Sequence, residues 1–129
     1  MDYLADTVAI VRHLTEDRKQ GKRAATVFEE ADRGLHRIFI SGVTLMEILY
    51  LSEAKRITVP LTELIAYIRK SRNYAVVPVD QQVVVAASRI DDIPELHDRI
   101  IAGTAYFLDI PIVSPDPLFV DSRFVRTIW

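Results

Sequence analysis

Four carboxylic acids, Asp6, Glu47, Asp98 and Asp116, are spread over almost the whole chain. Each lies where an apolar run ends or a helix-like segment begins. That is how an acidic pocket looks before folding gathers it. Crowded carboxylates need a reason. Two of them about 5 Å apart at an effective dielectric of about 20 repel by roughly 3 kcal/mol. The usual reason is a divalent cation held by oxygen ligands, and hard oxygen donors suit Mg²⁺ or Mn²⁺. A cation so held lowers the pKa of a bound water and stabilises charge on an attacked phosphate. Such chemistry requires no serine, cysteine or histidine nucleophile.

Each acid also has a structural reading. Asp6 and Asp98 are each placed to cap a helix, since Asp is a favoured N-cap. Glu47 follows Thr44 by three residues, the capping-box spacing. Asp116 lies in Ser114-Pro115-Asp116-Pro117, a turn sequence. Glu47 strains that set of readings most. It is flanked by Leu45, Met46, Ile48 and Leu49, and a carboxylate in an apolar helix needs a partner or a metal.

The elements that must position these acids follow from hydrophobic periodicity. Tyr3–Ala5 reads as a buried strand ending at Asp6. Thr7–Leu14 reads as a helix, Thr15–Lys22 as a polar loop, and Arg23–Ala31 as a second helix with Gly34 as its stop signal. Arg37–Ile40 is a second strand. Ser41 and Thr44 are candidate caps for a helix that runs through Glu47 to about Ala54. Pro60 opens another helix, with Leu61, Leu64, Ile65 and Ile68 as its buried stripe. Ala75–Val79 is β-rich, and Pro78 argues for an edge. Asp80 caps Gln82–Ile90, which reads as a buried helix with a β-branched middle. Asp91–His97 is a loop, and Asp98 starts a helix through Ala105 to Leu108. Ile110–Val113 and Val125–Trp129 complete the strands.

Strands alternating with helices predict an α/β fold with a central, mainly parallel sheet covered on both faces. In such sheets ligands bind beyond the carboxyl ends of the strands. Asp6 and Asp116 fall there, and Glu47 and Asp98 fall beside the same edge.

The 129 residues fit one domain, residues 1–129, and 50% are hydrophobic, enough for a packed core. The net charge of −2 leaves no global basic field for nucleic acid, so any such contact needs a local patch or a metal. Cysteine is absent, which removes disulfide and thiol chemistry. The first residues lack the basic segment and apolar run of a signal peptide. No apolar stretch approaches the ~20 residues of a membrane span. A cytoplasmic protein without membrane contact is expected.

Four segments together resemble a known family. They are Tyr3-Leu4-Ala5-Asp6-Thr7, Ser41-x-x-Thr44-x-x-Glu47-Ile48, His97-Asp98-Arg99 running on to Ala105, and Ile112-Val113-Ser114-Pro115-Asp116. Their order and the size of the chain are similar to PIN-domain ribonucleases, the VapC-type toxins of toxin–antitoxin pairs. The resemblance implies a PIN-like three-layer α/β/α sandwich and an Mg²⁺- or Mn²⁺-dependent endoribonuclease. It implies that Asp6, Glu47, Asp98 and Asp116 form the catalytic and metal-binding quartet, with Asp6 and Asp98 the principal ligands. Thr7 and Ser114 match the hydroxyls near the first and last acids, and Arg99 is placed to neutralise an acid or grip a phosphate. Pro115 departs from the family pattern, because it removes a donor where a polar or basic residue is common. The implied partners are an RNA substrate, a cognate antitoxin and a second copy of the chain in a homodimer.

Other residues carry competing readings. The basic stretch Arg12, His13, Arg18, Lys19, Lys22 and Arg23 reads as an RNA path or as a solvated loop. His97 reads as an acid or base, or as a structural histidine. Tyr106, Phe107 and Trp129 read as core, with base stacking as the alternative. The helices around Val43–Leu51 and Leu61–Ile68 carry more apolar residues than one buried stripe needs, which predicts either two-sided burial or a protein interface. Two other classes compete with the nuclease: a catalytically silent interaction module and a receiver-like signalling domain. The second needs a late lysine beside its acids, and no lysine follows Lys70.

Overall fold

The strand segments carry apolar residues on alternate sides, and the pleat sends alternate residues to opposite faces. In the computed structural model, which describes residues 1–129, that alternation builds two separate cores. The strands are β1 (Asp2–Ala5), β2 (Arg37–Ser41), β3 (Tyr74–Val77), β4 (Ile112–Val113) and β5 (Thr127–Ile128). They form one five-stranded parallel sheet in the order β3-β2-β1-β4-β5. Tyr3, Ala5, Ile38, Ile40 and Val113 face one core, with Phe28, Ile48 and Leu64. Leu4 and Ile112 face the other, with Ile93, Ile101 and Phe119.

The helices are α1 (Thr7–Leu14), α2 (Lys22–Asp32), α3 (Gly42–Glu53), α4 (Leu61–Lys70), α5 (Gln81–Ser88), α6 (Leu96–Leu108) and α7 (Pro117–Val120). Helices α1, α2 and α4 supply the first core and α6 and α7 the second. Helix α3 feeds both, through Ile48 and Val43. The result is the predicted three-layer α/β/α sandwich around a parallel sheet.

The strand order fixes where a site can form. From β1 the chain moves outward through β2 and β3, then returns to the other flank of β1 for β4 and β5. The order reverses between β1 and β4, and the crevice at that switch point is where open α/β sheets bind ligands. The Asp6 N–H donates to the Val113 carbonyl at 3.2 Å, tying the first acid to the end of β4.

Helix ends depart from the sequence expectation in three places. Ser41 caps α3, accepting from the Val43 N–H, while Thr44 is a buried residue within the helix. Helix α6 begins before Asp98, because Glu95 is its cap and accepts from the Asp98 N–H at 2.7 Å. The turn after Asp116 closes into α7, with Pro117 in its first turn, where a missing N–H costs nothing.

Burial departs from expectation as well. Of the α4 stripe only Leu64 is fully buried. Helix α5 buries Val83, Ala86 and Ala87 but leaves Val84 and Val85 more than half exposed. Tyr106 and Phe107 of α6 are exposed rather than core. Small residues decide this packing. A Cβ on Gly103 would lie 2.7 Å from the Ala87 Cβ, so α5 and α6 meet at backbone range and the large side chains stay outside. Trp129 does pack on the first core, and its indole covers Gly21, where a Cβ would lie 2.6 Å from the Trp129 carbonyl carbon.

Candidate active site

Asp6 is the residue at which β1 becomes α1. Its backbone is extended, and its carboxylate caps α1 by accepting from the Ala9 N–H at 2.7 Å. It is 4% exposed. Burial pushes its pKa up to about 6, against the lowering effect of the Ser114 hydroxyl and the Ala9 N–H, and the charges of Asp116 and Asp98 push the same way as burial. A capped carboxylate normally titrates low. Here desolvation and neighbouring acids win.

Asp98 lies in the first turn of α6 and is partly buried. Its pKa is also raised to about 6, first by burial and then by Glu95, Asp116 and Glu47, with His97 opposing. Glu47 projects from the middle of α3, where burial raises its pKa. The Thr7 hydroxyl donates to Glu47 Oε1 at 3.0 Å, and Thr44 Oγ1 lies 3.3 Å from the same hydroxyl. Asp116 caps α7 by accepting from the Leu118 N–H at 2.9 Å. Its own N–H donates to Ser114 Oγ at 3.0 Å. Pro115 leaves that bridge intact, because the groups engaged belong to its neighbours.

Acids from four elements thus reach the switch point, where the charges of their neighbours bear on Asp6 and Asp98. The capping readings of Asp6 and Asp116 hold alongside this placement; those of Asp98 and Glu47 do not. Asp98 donates to a cap rather than serving as one, and Glu47 is bonded to Thr7 of another helix. Thr7 donates to Glu47, and Ser114 accepts from the Asp116 N–H. Arg99 does something else. Its Nε donates to the Ala87 carbonyl at 2.9 Å and its Nη2 to the Ser88 carbonyl at 3.4 Å. The guanidinium closes the C-terminal end of α5 and pins the first turn of α6, including Asp98, against it.

Glu95 escaped the sequence reading of the site, and Thr44, read there as a candidate cap, lies inside its helix. Glu95 caps α6 and adds negative charge beside Asp98. Its three-residue spacing to Asp98 was the available signal, but Glu is an uncommon cap. Thr44 is fully buried beside Thr7. His97 approaches Glu95, Nδ1 to Oε1 3.3 Å, and half its side chain is exposed.

The donors at this edge are all hard oxygens. No three acidic or histidine side chains of the chain converge closely enough to hold one ion among them. Mg²⁺ commonly takes one or two carboxylates, keeps several waters and completes its shell with substrate phosphate. A spaced set of carboxylates, of which Asp6 and Asp98 are raised in pKa by burial and by neighbouring acids, fits that kind of binding.

The basic stretch lies elsewhere in part. His13, at the far end of α1 and about 10 Å along the helix from Asp6, sits 3.1 Å from both Asp32 Oδ2 and the Tyr67 hydroxyl. Asp32 Oδ1 accepts from Tyr67 and Tyr74 at 2.6 and 2.8 Å. Burial and Asp32 hold the Tyr67 hydroxyl up at about 12. His13 also stacks on Phe28 with ring centroids 4.4 Å apart. This network ties α1, α2, α4 and β3 together, and it marks His13 as structural. Arg12 lies over the Trp129 ring at 5.5 Å.

Comparison with known structures gives the same architecture. VapBC2 from Rickettsia felis, solved bound to a DNA fragment from its promoter, is similar with a TM-score of 0.74 and 15% identity, covering 99% of this chain and 98% of that one. DNA-bound VapBC from Salmonella typhimurium is similar at 0.68 and 20% identity, over 99% and 97%. FitAcB from Neisseria gonorrhoeae is similar at 0.64 and 16% identity, over 98% and 96%. At such identities the likeness is one of fold. No curated protein matches the chain in sequence. The model of the PIN domain, however, matches residues 3–124. On that match, which spans all four acids and the whole sheet up to β4, the chain belongs to the PIN-domain family.

Proposed function

We propose that the protein is an Mg²⁺- or Mn²⁺-dependent endoribonuclease and the toxin of a toxin–antitoxin pair. The observation that carries the reading is the acid edge itself. Asp6, Glu47, Asp98 and Asp116 come from four elements; the charges of Asp116 and Asp98 help raise the pKa of Asp6, and those of Asp116 and Glu47 help raise that of Asp98. Asp6 and Asp98 would hold the metal, with Glu47 and Asp116 completing the site directly or through water. When bound, the metal would supply a water of lowered pKa and charge stabilisation on the phosphate. The chain's own residues do the positioning. Thr7 holds Glu47, Ser114 holds the Asp116 backbone, and Arg99 fixes the turn that carries Asp98.

Partners belong to the same reading. The structural relatives are VapBC and FitAcB assemblies, which supports a cognate antitoxin here. Val85, Tyr106 and Phe107 line an exposed apolar hollow between α5 and α6, and such a face fits a protein partner, an antitoxin or a second copy in a homodimer. No helix is long and apolar enough to cross a membrane; a cytoplasmic location belongs to the same proposal, since a ribonuclease must meet RNA.

The test is cleavage of single-stranded RNA by pure protein, with Mg²⁺ or Mn²⁺ and with chelator. Cleavage should require the metal and fall at least a hundredfold, about 3 kcal/mol in the barrier, in Asp98→Asn. Undiminished cleavage by a folded Asp98→Asn protein sinks the proposal.

A further inference from the structure

The acid edge opens on one side into an apolar concavity of about 340 Å³, lined by Met46, Glu47, Tyr50, Leu51 and His97. Glu47 belongs to both, so the hollow is continuous with the acids. Tyr50 lies four residues after Met46 and three after Glu47 on α3, so its ring neighbours both. That side of α3 is turned outward: Met46 is 59% exposed and Tyr50 61%. The opposite wall is the first turn of α6, where His97 directly precedes Asp98 and the neighbouring Leu96 is 67% exposed. Large apolar side chains left in water beside a polar cleft mark a surface that binds something.

The chemistry of the lining selects the occupant. It contains no lysine or arginine, so His97 is its one nitrogen donor toward a phosphate, and Glu47 repels one. The hollow is at the small end of ligand pockets, which run from about 300 to 1,000 Å³. It suits a single flat group better than a helix of a protein partner. An aromatic ring open to solvent is the usual platform for an unpaired base, because every base has a face to stack and stacking owes little to charge. That matters for a chain of net charge −2, which gains little affinity for RNA from its overall field.

We propose that Tyr50 is a stacking platform for an unpaired base of the RNA, seated beside the phosphate that the acids address; this rests on the nuclease reading above. Tyr50 is then a positioning residue. It holds the nucleotide while the acids and their metal act on the backbone next to it. Recognition of this kind favours single-stranded loops over duplex, in which the bases stay stacked on one another.

Two measurements test it on the intact protein. Single-stranded RNA carrying 2-aminopurine, whose fluorescence drops on stacking, is titrated with Ca²⁺ in place of Mn²⁺. Wild type and Tyr50→Phe should quench it, and Tyr50→Ala should weaken binding about tenfold. In Mn²⁺-supported cleavage, Tyr50→Ala should raise KM by a similar factor, with kcat held within about twofold and Tyr50→Phe restoring KM. Tyr50 is so exposed that the alanine variant should fold, which a thermal melt checks. Equal RNA binding by Tyr50→Ala, with cleavage still abolished by Asp98→Asn, overturns the platform and leaves the nuclease reading standing. Unchanged KM with lost self-association or lost antitoxin capture overturns it too, and gives the face to a protein partner. Failure of the wild-type protein itself to cleave RNA overturns the nuclease reading and this inference with it.

Discussion

Replacing Asp6 by asparagine should stabilise the metal-free protein, although it removes the residue most central to the site. The Asp6 carboxyl titrates at about 6 in the fold against an ordinary 3.8, chiefly because it is buried. A raised folded pKa means that the native state holds the proton more tightly. The associated stability is complete below the unfolded pKa and is lost as pH rises through about 6. At neutral pH the native protein therefore carries a buried charge at a cost of about 3 kcal/mol, two pKa units at 1.36 each. Because Asp6 is 4% exposed, little of that is screened. Asn keeps the carbonyl that caps α1 through the Ala9 N–H, and Asn and Asp cap about equally well. In chelator at about pH 7.5, Asp6→Asn should gain up to ~3 kcal/mol, a rise in Tm of about 10 °C at most for a chain of this size. Near pH 4.5 the gain should shrink to about 1 kcal/mol and then vanish at lower pH. With millimolar Mn²⁺ the order should reverse, because wild type gains binding energy that the variant forfeits. The assay is thermal or urea unfolding across pH, with and without metal. A variant less stable than wild type in chelator at neutral pH refutes the reasoning, and so does a gain independent of pH.

Two further outcomes follow from the same geometry. Gly103→Ala places a methyl 2.7 Å from the Ala87 Cβ, so α5 and α6 must part, and urea unfolding should show a loss of about 1–3 kcal/mol even though alanine is the better helix former. Metal uptake near pH 6 should release protons, since Asp6 and Asp98 both titrate at about 6. Calorimetry in buffers of different ionisation enthalpy should show that release vanish above about pH 8, with affinity for Mn²⁺ falling as pH drops below about 6.

The first strands were legible because Tyr3–Ala5 and Ile38–Ile40 are short apolar runs, buried or half-buried throughout, and the acids were legible because they interrupt apolar runs. Glu47 stood out for the strongest reason, a charge among Leu45, Met46, Ile48 and Leu49. The cap of α6 was misread because two acids, Glu95 and Asp98, lie three residues apart and the commoner cap type is the second. The exposed faces of α5 and α6 were misread for a different reason. Hydrophobicity rises with side-chain size, so Val84, Val85, Tyr106 and Phe107 looked like core. The real buried faces carry Ala86, Ala87, Ala102, Gly103 and Ala105, because close approach of two helices excludes large side chains. Arg99 beside Asp98 looked like an electrostatic partner; only three dimensions reveal the carbonyls of Ala87 and Ser88 within its reach.

The two-core division of β1 limits how this chain can change length. Leu4 packs on one side of the sheet and Tyr3 and Ala5 on the other, so adding or deleting one residue before Asp6 exchanges the two sets and turns the acid away from β4. Parity thus gives Asp6 its address, and the central strand tolerates substitution but not a change of count. Length variation is confined to segments such as the exposed stretch from Ala54 to Arg56 between α3 and α4, where an extra residue alters no parity. Comparison of related chains should therefore find insertions there and an unbroken count from the first strand residue to the first acid.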